Sequence, residues 1–284
     1  MPFATIDGLD THYQDLGQGP ALLMYSPGGF DAQISKWSDL GVYKRIKLLD
    51  HLPKHFRCIV FDRRENGLSQ GRVERITWQS YVRQGVGLLD HLGIDRAHVM
   101  GGCMGCSPVA AFGVAHPKRT RSMVHFWPVG GPSYRISSHQ RFARHLAFVE
   151  ENGLQAVVDL VRSHDKNFSA DPRGGPWGQP IRNSQDFATA YADQDKARYL
   201  LTVTAMYRGL MDRDTAPGAE PEDLMTLNIP SLIVPGADGF HSTSAARYMQ
   251  ECLAGSEYWD ITPDDLTEEN APARITAFLK ALGD

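Results

Sequence analysis

Short apolar runs rich in β-branched and aromatic residues recur along the chain, separated by longer stretches in which apolar positions return every three or four residues. Residues 21–25, 58–61, 97–100, 122–127, 231–234 and 258–261 make up the first set. Their short buried character predicts strands of a sheet covered on both faces. Residues 5–8 and 11–16 predict an opening hairpin turned at Gly8. Residues 77–92 carry a helical stripe of Tyr81, Leu88, Leu89 and Leu92, stopped by Gly93. Further helices are expected at 104–116, ended by Pro117, at 242–253 and near 271–282. Strands alternating with helices in this way define an α/β architecture with a mostly parallel, twisted sheet flanked by helices.

The pattern changes between residues 132 and 228, where amphipathic helices surround a Gly/Pro-rich loop at 171–178 and no strand signal rises. Strands on both sides of this block predict a core of residues 1–131 and 229–284 carrying a helical cap at 132–228. With 284 residues, 42% of them hydrophobic, the chain is long enough for one large core with such an insertion. Internal repeats and low-complexity segments are absent from the sequence.

A formal net charge of −4 gives no electrostatic reason to expect nucleic acid or an anionic membrane as partner. A small-molecule substrate fits better, and a homo-oligomer remains open. No basic segment followed by an apolar stretch opens the chain, and no run approaches the roughly 18 apolar residues of a membrane span. A cytoplasmic protein is expected. Cys58, Cys103, Cys106 and Cys252 are too few and too scattered for a disulfide framework. The single Cys103-x-x-Cys106 spacing lacks further ligands, so neither a metal nor a cofactor is expected.

The densest chemistry lies in Val99-Met100-Gly101-Gly102-Cys103-Met104-Gly105. A buried strand, a tight turn and a helix come in succession here, with glycine two residues before and two after Cys103. A nucleophile held on a sharp turn needs such neighbours, because its own backbone is strained and the flanking chain packs closely. The N-terminus of the helix after the turn favours a thiolate. Cys106, one turn further on, reads as a buried structural cysteine.

The chain resembles the α/β-hydrolase family over nearly its whole length. The Gly101-x-Cys103-x-Gly105 turn resembles the family's nucleophile elbow with cysteine in the usual serine place. Residues 23–30 resemble the strand leading to the oxyanion loop, with Gly28-Gly29 standing where His-Gly is usual. Phe61-Asp62-Arg63-Arg64-Glu65-Asn66-Gly67-Leu68-Ser69 resembles the D-x-R-G-x-G-x-S block, and residues 229–238 resemble the strand that ends near the triad acid. The cysteine is similar to that of dienelactone hydrolases, while the opening blocks and cap position look more like esterases, haloperoxidases and C–C hydrolases. The resemblance implies an oxyanion hole made by the backbone N–H groups of Phe30 and Met104, and Asp238 as the triad acid.

One family feature is missing. The resemblance implies a catalytic histidine after the last strand, where this chain has Thr262-Pro263-Asp264-Asp265-Leu266, and no histidine comes after His241. A thiol needs a base to become an efficient nucleophile. His241, three residues after Asp238, is the first candidate, and a surface histidine near a helix start is the competing reading. His125, in the apolar strand at 122–127, is the second, against a core role. A third arrangement uses the helix N-terminus alone, with Glu65 facing the site or simply pairing with Arg63 or Arg64.

Gly29, Trp127 and His125 are expected to border the substrate, and Arg135, Arg141 and Arg144 in the cap are candidates for a substrate carboxylate or for plain solvation. These features predict a hydrolase acting on an ester, lactone, thioester or activated C–C bond through an acyl-enzyme. A noncatalytic small-molecule receptor and a lyase or acyltransferase on the same elbow are the alternatives.

Overall fold

The computed structural model describes residues 2–283. Eight strands form one sheet: β1 (Phe3–Ile6), β2 (Leu9–Leu16), β3 (Ala21–Tyr25), β4 (Arg57–Phe61), β5 (Ala97–Gly102), β6 (Thr120–Phe126), β7 (Ser231–Val234) and β8 (Glu257–Tyr258). Their spatial order is β1-β2-β4-β3-β5-β6-β7-β8. The hairpin strands pair antiparallel, and β2 lies antiparallel to β4. All other pairs are parallel.

Alternation along the central strands builds two cores. Leu23, Tyr25, Val99, Met123 and Ile233 point to one face, and Leu22, Met24, Met100, Val124 and Leu232 point to the other. Both sets are buried, which is why these strands read as continuous apolar runs rather than alternating ones. The opening hairpin turns through Asp7 and Gly8, both at positive φ. Helix Trp78–His91 begins at a capping box in which the Thr77 side chain accepts from the Ser80 N–H, a device worth about 1 kcal/mol.

Several details differ from the sequence pattern. The last strand spans two residues, Glu257–Tyr258, where the pattern predicts 258–261; Trp259 still donates its N–H to the Ile233 carbonyl at 2.9 Å, and the pairing with β7 ends there. A 3-10 turn, Cys103–Gly105, precedes the helix Cys106–Ala115. Three short helices, Lys36–Asp39, Gly41–Ile46 and Leu48–His51, fill a region with no clear periodicity. They bury Trp37, Tyr43, Ile46 and Leu48 against the sheet.

Residues 132–228, between β6 and β7, contain helices and no strand among the described residues. The long helix Pro132–Ser163 is broken at Gly153, whose φ of 79° leaves helical geometry. Helices Gln185–Ala192 and Lys196–Met211 pack with it around Tyr191, Tyr199 and Val203. Hydrogen bonds tying the block to the rest include Asn167 to Asp31 at 2.6 Å, the Trp177 indole to the Arg72 carbonyl at 3.0 Å, and Asn183 to the Gly67 carbonyl at 2.7 Å. No helix among the described residues is long and apolar enough to cross a membrane.

Strand register brings four loops together. Tyr25 lies opposite Gly101, Gly102 opposite Phe126, and Phe126 opposite Val234. The carboxyl ends of β3, β5, β6 and β7 are therefore level, and the loops leaving them meet at one edge of the sheet.

Candidate active site

Cys103 occupies the turn after β5 with φ 55°, a left-handed conformation costing about 1–3 kcal/mol for such a residue. The surrounding chain enforces it. A Cβ on Gly101 would collide with the Gly105 carbonyl, and one on Gly105 would collide with the Tyr25 carbonyl. A Cβ on Gly102 would lie 2.6 Å from the Tyr43 hydroxyl, which donates to the Phe126 carbonyl at 3.3 Å. The result is a half-buried thiol presented above the sheet edge.

Opposite it stands the loop after β7. His241 Nε2 lies 3.1 Å from Cys103 Sγ, and His241 Nδ1 lies 2.9 Å from both carboxylate oxygens of Asp238. Asp238 also accepts the backbone N–H groups of Phe240 and His241, each at 2.8 Å, so the acid folds its own loop while it orients the ring. Ser242 then caps the helix Thr243–Cys252. Cys103, His241 and Asp238 thus form one hydrogen-bonded chain built from two loops.

That contact governs the electrostatics. Burial opposes ionisation of the Cys103 thiol, yet His241 and the backbone N–H groups of Gly28 and Met104 bring its pKa below the ordinary thiol value. Burial likewise opposes a charged His241, but the thiolate and Asp238 outweigh it and raise the imidazole to about 9. For Asp238, burial is outweighed by the hydrogen bond from His241, and its pKa is lowered. Both shifts favour the charged forms, thiolate on Cys103 and imidazolium on His241.

Around the sulfur, Met104 N–H stands where the resemblance implies. A second N–H, that of Gly28, also faces the sulfur. The Phe30 ring packs edge-on against Phe142 and Phe168 of the helical block, with centroids 5.5 and 5.8 Å away. Arg63 accounts for the loop's shape: fully buried, it donates to the Gly28 carbonyl at 2.6 Å and also to that of Gly29, with its guanidinium 4.9 Å over the Tyr81 ring. Sequence reasoning placed Arg63 in a recognisable block but did not foresee that it reaches this loop.

His125 requires a correction. Its side chain is fully buried beside the backbone of Cys106 and makes no hydrogen bond to Cys103. Burial pushes its pKa down to about 3, and the wholly buried side chain lies in the core, where it has no contact with solvent. Cys106 is also structural, donating to the carbonyls of Gly101 at 3.1 Å and Phe126 at 3.4 Å. Glu65 is fully buried and accepts from Arg64 Nε at 2.8 Å, which is the plain pairing. Gly29 borders open space, since a Cβ there would meet nothing within 4 Å. The Trp127 ring lies 5.5 Å from that of His241.

Of the candidate arginines Arg135, Arg141 and Arg144, Arg135 pairs with Asp214 at 2.7 Å and Arg144 is exposed. Arg141 differs. It is half-buried, its guanidinium stands 5.9 Å from the Phe168 ring centroid, and it has no ion pair or hydrogen bond among the described residues. Burial lowers its pKa despite the fields of Tyr134 and Asp31. Tyr134 in turn feels the charges of both Cys103 and Arg141, and burial raises its pKa. Asp31 is occupied by Lys36 at 3.1 Å and Asn167 at 2.6 Å.

Known proteins agree with the architecture. A family model described as alpha/beta hydrolase fold matches residues 22–158. The chain is 24% identical over 237 residues to 3-oxoadipate enol-lactonase 1 of Acinetobacter baylyi, covering 81% of each chain. It is 29% identical over 127 residues to 2-hydroxy-6-oxo-6-phenylhexa-2,4-dienoate hydrolase of Comamonas testosteroni, covering 42% of this chain and 40% of the relative. The enol-lactonase structure from Burkholderia xenovorans LB400 superposes with a TM-score of 0.61 at 20% identity, covering 98% of this chain and 99% of that one. The chain has the alpha/beta hydrolase fold.

Proposed function

We propose that the protein is a hydrolase that opens a small carbonyl substrate through a thioester on Cys103. The 3.1 Å contact between His241 and the elbow thiol carries this reading. The Cys103 thiolate attacks the carbonyl carbon, and the carbonyl electron pair moves to oxygen. The N–H groups of Met104 and Gly28 are placed to stabilise that oxyanion, an effect worth about 3–4 kcal/mol per donor in related chemistry. Collapse expels the leaving group, which takes the Nε2 proton of His241. Water then attacks the thioester as His241 accepts its proton, releasing the acid and restoring the thiolate. Asp238 holds the ring in the tautomer that keeps Nε2 toward sulfur.

The helical block at 132–228 serves as the cap over this centre. Arg141 favours a substrate that carries a carboxylate, since a half-buried guanidinium without a counter-ion is otherwise costly. Both curated relatives act, by name, on carboxylate-bearing compounds, an oxoadipate enol-lactone and a dienoate. Arg141→Gln is expected to raise KM for an anionic ester about 10–100-fold, the value of a charge-assisted pair, and to leave a neutral ester nearly unchanged. Steady-state kinetics on the two esters checks this. A receptor on the same fold would have no use for an activated thiol, so the Cys103–His241 contact supports the catalytic reading.

Incubation with p-nitrophenyl acetate and intact mass spectrometry tests the proposal. One acetyl group on the peptide containing Cys103, gained in a burst and lost on standing, supports it. Release of p-nitrophenol with no adduct at Cys103 under rapid quenching overturns it.

A further inference from the structure

The loop that carries Asp238 and His241 is laid along the residues that connect β6 to the helical block. Trp127 N–H donates to the Val234 carbonyl at 2.8 Å, so the extensions of β6 and β7 leave the sheet side by side. Gly130 N–H donates to the Phe240 carbonyl at 3.0 Å, Gly130 bridges His241 in parallel fashion, and Ser242 Oγ donates to the Gly130 carbonyl at 3.1 Å. A Cβ on Gly130 would lie 2.7 Å from that of Ala245, so the close approach of the two segments depends on glycine there.

Trp127 adopts φ 58°, a left-handed conformation that is a genuine outlier for a bulky side chain. That turn brings the indole beside the imidazole, with centroids 5.5 Å apart and ring planes at 52°. Phe126 also packs against the indole, nearly parallel at 14° with centroids 6.4 Å apart. Strain that persists in a folded chain is held there by surrounding structure, and it clusters at functional sites.

We propose that Trp127 is a positioning residue for His241, its ring and the Gly130 backbone holding the imidazole toward Cys103 and favouring its protonated form. The inference rests on the reading of Cys103 and His241 as the reactive pair. An aromatic face attracts an adjacent cation, and an indole does so more strongly than other rings. It also keeps water from competing for the sulfur–imidazole hydrogen bond. The titratable groups acting on His241 are Cys103 from the elbow and Asp238 from its own loop. The β6 extension offers Trp127 and the Gly130 backbone, and the start of helix Thr243–Cys252 offers Ser242, none of them charged. Support from this side is what the unusual placement of the histidine demands, because the base sits after β7 and not after β8.

Trp127→Leu and Trp127→Phe, compared with the wild type, test this by the pH profile of iodoacetamide alkylation and by hydrolysis of p-nitrophenyl acetate. Leucine is expected to raise the alkylation midpoint of Cys103 by about 0.5–1 pH unit and to lower kcat about tenfold, with KM within about twofold. Phenylalanine, which keeps an aromatic face, is expected to restore most of both. A change confined to KM with an unmoved midpoint would make Trp127 a pocket wall and overturn the proposal. Should the leucine variant not fold, the wild type decides: proton NMR must show the His241 ring resonances displaced upfield by the indole, and undisplaced resonances refute the contact. Ordinary-thiol alkylation of wild-type Cys103 would instead sink the reactive pair itself, a separate outcome.

Discussion

Cys103→Ala is expected to lower hydrolytic turnover by at least about 10⁴-fold while leaving the thermal midpoint close to that of the parent, since the nucleophile is lost and the fold is not. Alanine inherits the same left-handed backbone at the turn, so the strain there is common to both chains. The Cβ is retained, and only the sulfur that faces His241 and the amides of Gly28 and Met104 disappears. Residual activity on a chromogenic ester would be near background, and thermal unfolding of the same preparation controls for folding. Cys106→Ala makes a useful contrast. Its thiol is bonded to the Gly101 and Phe126 carbonyls, so the substitution is expected to cost stability more than it alters reactivity toward alkylating agents.

The second large effect belongs to His241. His241→Ala removes the partner that brings down the thiol pKa and the group that handles both protons, so kcat is expected to fall about 10³–10⁴-fold. The wild-type pH profile carries the same information with a definite sign. His241 is raised to about 9, so its protonated form persists through neutrality and is lost as pH rises through that value. Turnover, which needs an acid for the leaving group, is expected to decline there. Alkylation of Cys103, which needs only the thiolate, is expected not to decline. Measuring both rates on one buffer series separates the two roles, and parallel declines would show that His241 is not the acid.

How much of the molecule could be read from residues alone depended on the range of the interactions. Strands β3 and β7 match their apolar runs residue for residue, because burial on both faces leaves a mark in local sequence. The short helices around Trp37 and Tyr43 leave no periodic signal, since they are held by packing against the sheet and not by their own pattern. The break at Gly153 did have a local mark in Asn152-Gly153, a helix-stopping pair within an otherwise continuous stripe.

At the site, Gly101 and Gly105 announced the elbow, because the collisions that demand glycine lie within a few residues of Cys103 and at the adjoining strand. His241 lies 138 positions from Cys103 and was reached from sequence as the first candidate base through its place beside Asp238. Only the spacing Asp238-x-x-His241 hinted that acid and base share a loop. The reach of Arg63 to the Gly28 carbonyl spans 35 positions and left no local mark, although its buried guanidinium holds the loop. His125 stood as second candidate base against a core role, and its apolar strand gave no indication of the Cys106 backbone beside it.

The chemistry of this site turns on whether Cys103 is ionised by its partner. The ultraviolet absorbance of the thiolate, taken as the difference between wild type and Cys103→Ala across pH, measures this without any substrate. A midpoint well below the ordinary thiol value of about 8.5 is the expected result, moving up toward that value in His241→Ala. A wild-type midpoint at or above about 8.5, unmoved by the loss of His241, would contradict it.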